Sequence, residues 1–226
     1  MSGHEPSVCE LCRELASGEL APHPEWEGEV PAARAVARWG ELNVVSGLVP
    51  IVAGHLLVFP DQHLTAFSQL SDGVRSSFES LAFDQFEFWR SRGSDVLAFE
   101  HGTGLLADGS DGVAHAHVHL VPVADDAAQR CMDILKAHAD GPVGTSLADV
   151  PTTAGYLMGW RVSTNDRLVL PGDFPSQTLR RLVAAAVDSP WVDWHDGGNW
   201  DGFARTERRL VAWAGQRVPI TQPAPC

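Results

Sequence analysis

Between residues 32 and 39 apolar and polar positions alternate (Ala33, Arg34, Ala35, Val36, Ala37, Arg38, Trp39), a period that predicts a strand. Trp39-Gly40-Glu41 reads as a turn. Residues 41–49 are rich in strand formers, 50–54 (Pro-Ile-Val-Ala-Gly) form a break, and His55-Leu56-Leu57-Val58-Phe59 is a compact apolar strand ended by Pro60. Ser71-Asp72 supplies an N-cap. The segment from Val74 to Arg90 then carries Val74, Phe78, Leu81, Phe86 and Trp89 at near-helical spacing, which predicts a long helix. A strand is expected over 95–100, a glycine-rich loop over 102–112, a strand over 113–122, and a helix over 127–138. After a linker-like stretch, 140–151, a strand pair is expected at 155–162 and 167–170 around Asn165-Asp166, then helices at 176–187 and 203–214. This order predicts an α+β fold, with a first unit over 1–140 and a C-terminal α/β extension over 141–226 packed on the same core.

The strand at 113–122 changes the picture, because its alternate positions are His115, His117 and His119. In an extended segment the i, i+2 and i+4 side chains share one face, so three imidazoles converge. A solvated polar row accounts poorly for this inside an otherwise apolar run. Two chemistries remain open on the residues alone. The histidines could ligate a catalytic metal that activates water, or one neutral imidazole could attack phosphorus while its neighbours position the phosphate. A second motif, Cys9-Glu10-Leu11-Cys12, reads as half of a metal knuckle or as a redox pair; no thioredoxin-like context surrounds it.

Composition narrows the partners. The 226 residues are 44% hydrophobic and 20% charged, within the globular range, and 16 Lys and Arg against 29 Asp and Glu give a net charge of −13. That field opposes long polyanions, so neither a nucleic-acid polymer nor an anionic membrane is an expected partner, whereas one small phosphate ester in a local pocket is compatible. The N-terminus lacks the basic start and apolar run of a signal peptide, and no stretch approaches the ~20 apolar residues of a membrane span; a cytoplasmic protein is expected.

His115-Ala116-His117-Val118-His119-Leu120-Val121 resembles the His-x-His-x-His-x-x signature of the histidine-triad (HIT) superfamily of nucleotide hydrolases and nucleotidyltransferases. Pro50 to Val58, with Gly54-His55 before the apolar residues, is similar to that superfamily's preceding strand, and Phe99-Glu100-His101-Gly102 to the loop before the triad; the resemblance spans roughly residues 9–122. It implies a HIT-like antiparallel sheet packed by helices and a homodimeric habit. It also implies an active site in which His117 is the nucleophile at an α-phosphate, through a covalent nucleotidyl-histidine, with His119 at the leaving oxygen and His55 lining the pocket. His101, Glu100 and Ser110 are the implied substrate contacts. Similarity to the galactose-1-phosphate uridylyltransferase branch implies a structural zinc held by Cys9, Cys12, His63 and His115, which would remove His115 from the catalytic set.

The chain departs from the pattern at several points. Asp111-Gly112 stands where relatives carry a hydroxyl or amide for the phosphate, and Gly47 stands near a ribose-binding Asp or Asn. The uridylyltransferase branch has Gln at the position of His119. These departures leave two other readings open: a non-nucleotide tailoring reaction on a small metabolite, and nucleotide binding without turnover. In the extension, Gln177 and Arg180 share one face of the helix expected at 176–187 and are candidate phosphate or nucleoside contacts. Trp160, Trp191, Trp194 and Trp200 could stack on a base, although packing is their more economical use.

Overall fold

The structure, a computed structural model, describes residues 9–20, 26, 30–103, 115–139, 143–151, 153–190, 193 and 200–221. Among the described residues, eight strands form one antiparallel sheet: β1 (Val36–Trp39), β2 (Leu42–Ser46), β3 (Leu56–Pro60), β4 (Asp95–Gly102), β5 (Val118–Val123), β6 (Tyr156–Arg161), β7 (Asp166–Pro171) and the two-residue β8 (Ile220–Thr221). Their spatial order is β7-β6-β4-β5-β3-β2-β1-β8. Five helices cover it: α1 (Glu10–Ser17), α2 (Asp72–Arg90), α3 (Asp125–Ala137), α4 (Thr178–Ala186) and α5 (Trp200–Ala214). The α+β expectation holds. The C-terminal stretch contributes both sheet edges, since β6 and β7 continue from β4 while β8 pairs with β1.

Strand alternation divides the core in two. Val44, Val58, Val96, Ala98, Val118, Leu120, Met158 and Trp160 meet α2 and α5 on one face. Leu97, Phe99, Val121, Val123, Leu157, Leu168 and Leu170 meet α3 and α4 on the other. Burial on both faces explains why β2, β4, β5 and β6 are buried along nearly their whole length and show weak alternation in sequence. The helix read from Ser71-Asp72 is present as α2, with the Ser71 hydroxyl accepting from the Val74 N–H. Trp89, in its last turn, packs where Gly54 leaves room: at φ +105°, a Cβ on Gly54 would lie 2.4 Å from the indole. Helix α5 fixes the same loop, because Thr206 Oγ1 accepts from the Gly54 N–H at 3.0 Å and Arg209 donates to the Ala53 carbonyl. The residue delivered by this arrangement is His55.

Three elements differ from the sequence reading, the first being β8, where no strand was expected. The strand carrying the histidines joins the ladder only at Val118, so His115 and His117 precede it. Alternation of faces nevertheless persists, with Ala116 and Val118 in the α2-side core and His119 against Phe99 on the opposite side. The Cys-Glu-Leu-Cys motif opens helix α1, which the sequence pattern did not announce. Among the described residues no helix is long and apolar enough to cross a membrane.

Candidate active site and metal centre

Cys9 is the N-cap of α1, its sulfur accepting from the Cys12 N–H, and Gly18 ends the helix in the left-handed conformation. One helical turn therefore places both sulfurs at the α1 N-terminus. The Cys12 sulfur lies 3.3 Å from His63 Nδ1 and 3.4 Å from His115 Nδ1, and the Cys9 sulfur 3.5 Å from His115 Nδ1. All four ligand atoms fall within 4.8 Å of one another. A tetrahedral ion bonded at about 2.3 Å to sulfur and about 2.0 Å to nitrogen sets S···N edges of about 3.5 Å, which these three distances match, so the donor set fits a metal ion. His115 Nε2 donates to the Pro60 carbonyl at 2.9 Å, which leaves Nδ1 as the lone-pair nitrogen. Burial holds this imidazole neutral, at about 4. Burial and the neighbouring Cys9 push the Cys12 thiol up to about 11, a cost that a bound divalent cation reverses.

The remaining histidines form a second cluster one peptide unit away. His117 Nδ1 lies 2.7 Å from the His115 carbonyl, and a carbonyl only accepts, so Nδ1 carries the proton and Nε2 the lone pair. His55 Nδ1 accepts from the Ile51 N–H at 3.1 Å; its proton must then sit on Nε2, which donates to His119 Nδ1 at 2.8 Å. His119 is left with an N–H at Nε2. Phe99 stacks on the His119 ring at 4.5 Å between centroids and 11° between planes, fixing its orientation. The Ile51 N–H is held in turn by its peptide neighbour, since Ser189 donates to the Ile51 carbonyl at 2.8 Å. The site thus presents one nucleophilic nitrogen and one donor nitrogen from rings 5.0 Å apart.

All three imidazoles are held neutral. Burial is the main cause for His55, His117 and His119, and the Arg180 charge lowers each further. Arg180 reaches the cluster from α4, where Nη2 donates to the Val49 carbonyl at 2.8 Å. Burial pulls its guanidinium down to about 10, with Asp193 opposing, so it stays cationic at neutral pH. His101 also lies close enough to act on His117 electrostatically.

The structure therefore brings His55, His117 and His119 together, with the Arg180 and His101 charges acting on His117, and gathers Cys9, Cys12, His63 and His115 beside them. It does not bring Glu100. That side chain points through the sheet to the α2 face, accepting from the Phe67 N–H at 2.8 Å and from the Tyr156 hydroxyl at 2.6 Å, because Phe99, next to it on β4, takes the triad side. Glu100 is a packing anchor, and burial pushes its carboxyl up to about 8. Gln177 is also turned away from the phosphate role: it lies just before α4 at φ +62°, and its amide donates to Asp193 at 2.7 Å. Gln177 thereby orients the carboxylate that faces Arg180. Ser110, Asp111 and Gly112, like Trp191 and Trp194, lie outside the described residues. Gly47 backs the His55 ring, and a Cβ there would stand 3.3 Å from the His55 carbonyl oxygen. Sequence reasoning missed the groups that set the tautomers, the Ile51 N–H and the His115 carbonyl; both are main-chain atoms and leave no residue-type signal.

Residues 35–136 match the model of a family described as "Protein similar to CwfJ C-terminal". This match covers β1 to α3, including His55, His63 and the three triad histidines, and under half of the chain. Among solved structures, a hypothetical protein from Leishmania major is similar, at 20% identity over 53% of this chain and 76% of that one, with a TM-score of 0.39. No curated protein matches the chain.

Proposed function

We propose that the protein is a nucleotide hydrolase or nucleotidyltransferase acting at an α-phosphate, with His117 as nucleophile. The observation that carries this reading is the set of tautomers. A neutral imidazole whose Nδ1 proton is tied to a carbonyl offers an Nε2 lone pair, and the adjacent His119 offers an N–H to an oxygen on the same phosphorus. Nε2 attacks phosphorus, the bond to the leaving oxygen breaks, and that oxygen departs with the electron pair, stabilised by the His119 N–H and by the Arg180 charge. The nucleotidyl-imidazolium so formed keeps its Nδ1–H on the His115 carbonyl. Water, or a second phosphate, then attacks phosphorus and restores neutral His117. Expulsion of charge toward a cationic guanidinium and polarised N–H groups is the pattern expected of phosphoryl and nucleotidyl transfer.

The Cys2His2 group is proposed to hold zinc. Four protein ligands would close its coordination sphere, so the ion would supply charge for two thiolates and a cross-link between α1, the loop after β3 and the triad segment. Cys9, Cys12, His63 and His115 would hold it, and because the His115 carbonyl orients His117, the metal site is a positioning device for the nucleophile.

Turnover of a panel of nucleoside phosphoramidates, dinucleoside polyphosphates and nucleotide sugars tests the reading. The wild-type chain should release a nucleoside monophosphate or transfer it to phosphate. His117→Ala should abolish this, and Arg180→Met should lower kcat/KM by about 10²–10³, the usual scale for removing one charge-stabilising group. Turnover that survives His117→Ala would instead favour a different reaction on the same cluster.

A further inference from the structure

Burial keeps His55 and His119 neutral, and a neutral hydrogen-bonded pair of imidazoles has two arrangements. With one proton on each ring, His55 Nε2 either donates to His119 Nδ1 or accepts from it, and the 2.8 Å contact serves both. The first arrangement leaves an N–H on His119 Nε2, whereas the second leaves a lone pair there, which repels an anionic oxygen. The Ile51 N–H selects the first, because it donates to His55 Nδ1 at 3.1 Å and so bars a proton from that atom. Whatever aims this one N–H decides what His119 presents to a substrate.

The loop around Ile51 is held on alternate peptide units by side chains of the C-terminal stretch. Arg180 donates to the Val49 carbonyl and Ser189 to the Ile51 carbonyl, each at 2.8 Å; these two units flank the one that carries the Ile51 N–H. The next alternate unit, Ala53–Gly54, is gripped at both ends by α5, since Arg209 donates to its carbonyl and Thr206 Oγ1 accepts from its N–H at 3.0 Å. Thr206 serves as an acceptor there because its own hydroxyl proton goes to the Gly202 carbonyl at 2.9 Å. One local bond, from the His55 N–H to the Val52 carbonyl at 3.1 Å, completes the turn. Ser189 is brought to the loop by the end of α4: Asp188 is left-handed at φ +52°, and the Ser189 N–H closes on the Ala184 carbonyl at 2.9 Å. Its bond to Ile51 spans 138 positions of sequence.

We propose that the C-terminal stretch is a positioning clamp for the histidine pair, in which Ser189 and Thr206 fix the 49–54 loop so that the Ile51 N–H locks His55 and His119 in the arrangement that leaves His119 a donor at Nε2. The effect of the clamp on turnover rests on the nucleotidyl reading above. Its effect on the position of the imidazole protons does not.

The test is long-range 1H–15N correlation of the histidine rings in the 15N-labelled full chain, which separates protonated from lone-pair nitrogens, with ring signals assigned by their loss in His55→Gln and His119→Gln. In wild type His119 Nε2 should carry a proton and His55 Nδ1 none. In Ser189→Ala, and in Thr206→Val, both nitrogens should move toward an exchange average of the two arrangements, and Ser189→Thr, which keeps the hydroxyl, should match wild type. On a nucleotide conjugate, kcat/KM of Ser189→Ala should fall about threefold to tenfold, the scale of one neutral hydrogen bond, and through kcat more than KM. A proton on His55 Nδ1 in wild type, nitrogen shifts unchanged in Ser189→Ala whatever its melting temperature, or shifts altered equally in Ser189→Thr would each overturn the clamp. If wild type turned over no nucleotide, the nitrogen shifts would still decide the matter; unchanged shifts beside normal nucleotide turnover would remove the clamp and leave the role of His117 standing.

Discussion

Glu100→Gln gives a quantitative test of the placement of this residue on the α2 side. The carboxyl is buried and receives two hydrogen bonds, yet burial outweighs them and raises it from 4.5 to about 8. A folded-state value above the unfolded one means that the native chain binds the extra proton. Its stabilising contribution is full below about 4.5 and is lost as pH rises through about 8. At about 1.4 kcal/mol per pH unit, wild type should lose about 3 to 4 kcal/mol between pH 5 and pH 8 from this group alone. Glutamine keeps an acceptor for the Phe67 N–H and cannot ionise. Denaturant unfolding of both proteins at several pH values should show the variant gaining on wild type steadily across that window. A difference between them that stays constant within about 0.5 kcal/mol from pH 5 to pH 8 would refute the reasoning, since the linkage slope would then be absent.

Three further outcomes follow from the geometry. Cys12→Ser should reduce bound metal, measured by elemental analysis, from one ion per chain to well under half, and should lower both the melting temperature and turnover by loosening the His115–His117 link. Arg34→Met should cost about 3 to 5 kcal/mol in urea unfolding, because Arg34 holds Glu14 through two hydrogen bonds of 2.6 and 2.7 Å with both side chains buried; the double variant Arg34→Met, Glu14→Gln should recover part of that loss. Burial and the Arg180 charge lower His117, so the proposed nucleophile stays neutral below the ordinary value of 6.5, and the acid limb of kcat/KM should fall below pH 6.5; a limb at or above that value would contradict the electrostatic account.

The sequence disclosed those features that repeat with a period or cluster by residue type. Helix α2 was legible from its Ser71 cap and apolar spacing, and α5 and the β6–β7 pair from their patterns and the Asn165-Asp166 turn. The four residues of the candidate metal centre were named through a resemblance and lie together in the structure. Other features had no local signal. Helix α1 has eight residues, and its only markers are a cysteine used as N-cap and a left-handed Gly18. Strand β8 has two residues and exists only because β1 offers an open edge. The triad strand begins later than its alternation suggested, because the segment before Val118 is held outside the ladder, by the Ala116 N–H on the Leu64 carbonyl at 2.6 Å and by the His115 and His117 rings on the Pro60 and His115 carbonyls. Glu100 was misplaced for a related reason: the motif around it identifies a strand, but the parity of that strand is set by Phe99 stacking on His119.

The central claim is that His117 forms a covalent bond to phosphorus, and intact-mass spectrometry after a brief incubation with nucleotide conjugates tests it most directly. Wild type should gain the mass of one nucleoside monophosphate, less water, in an adduct that is labile in acid and persists in base, and His117→Ala should gain nothing. An adduct of equal yield in His117→Ala, or sustained turnover by that variant with no adduct on either protein, would contradict the account.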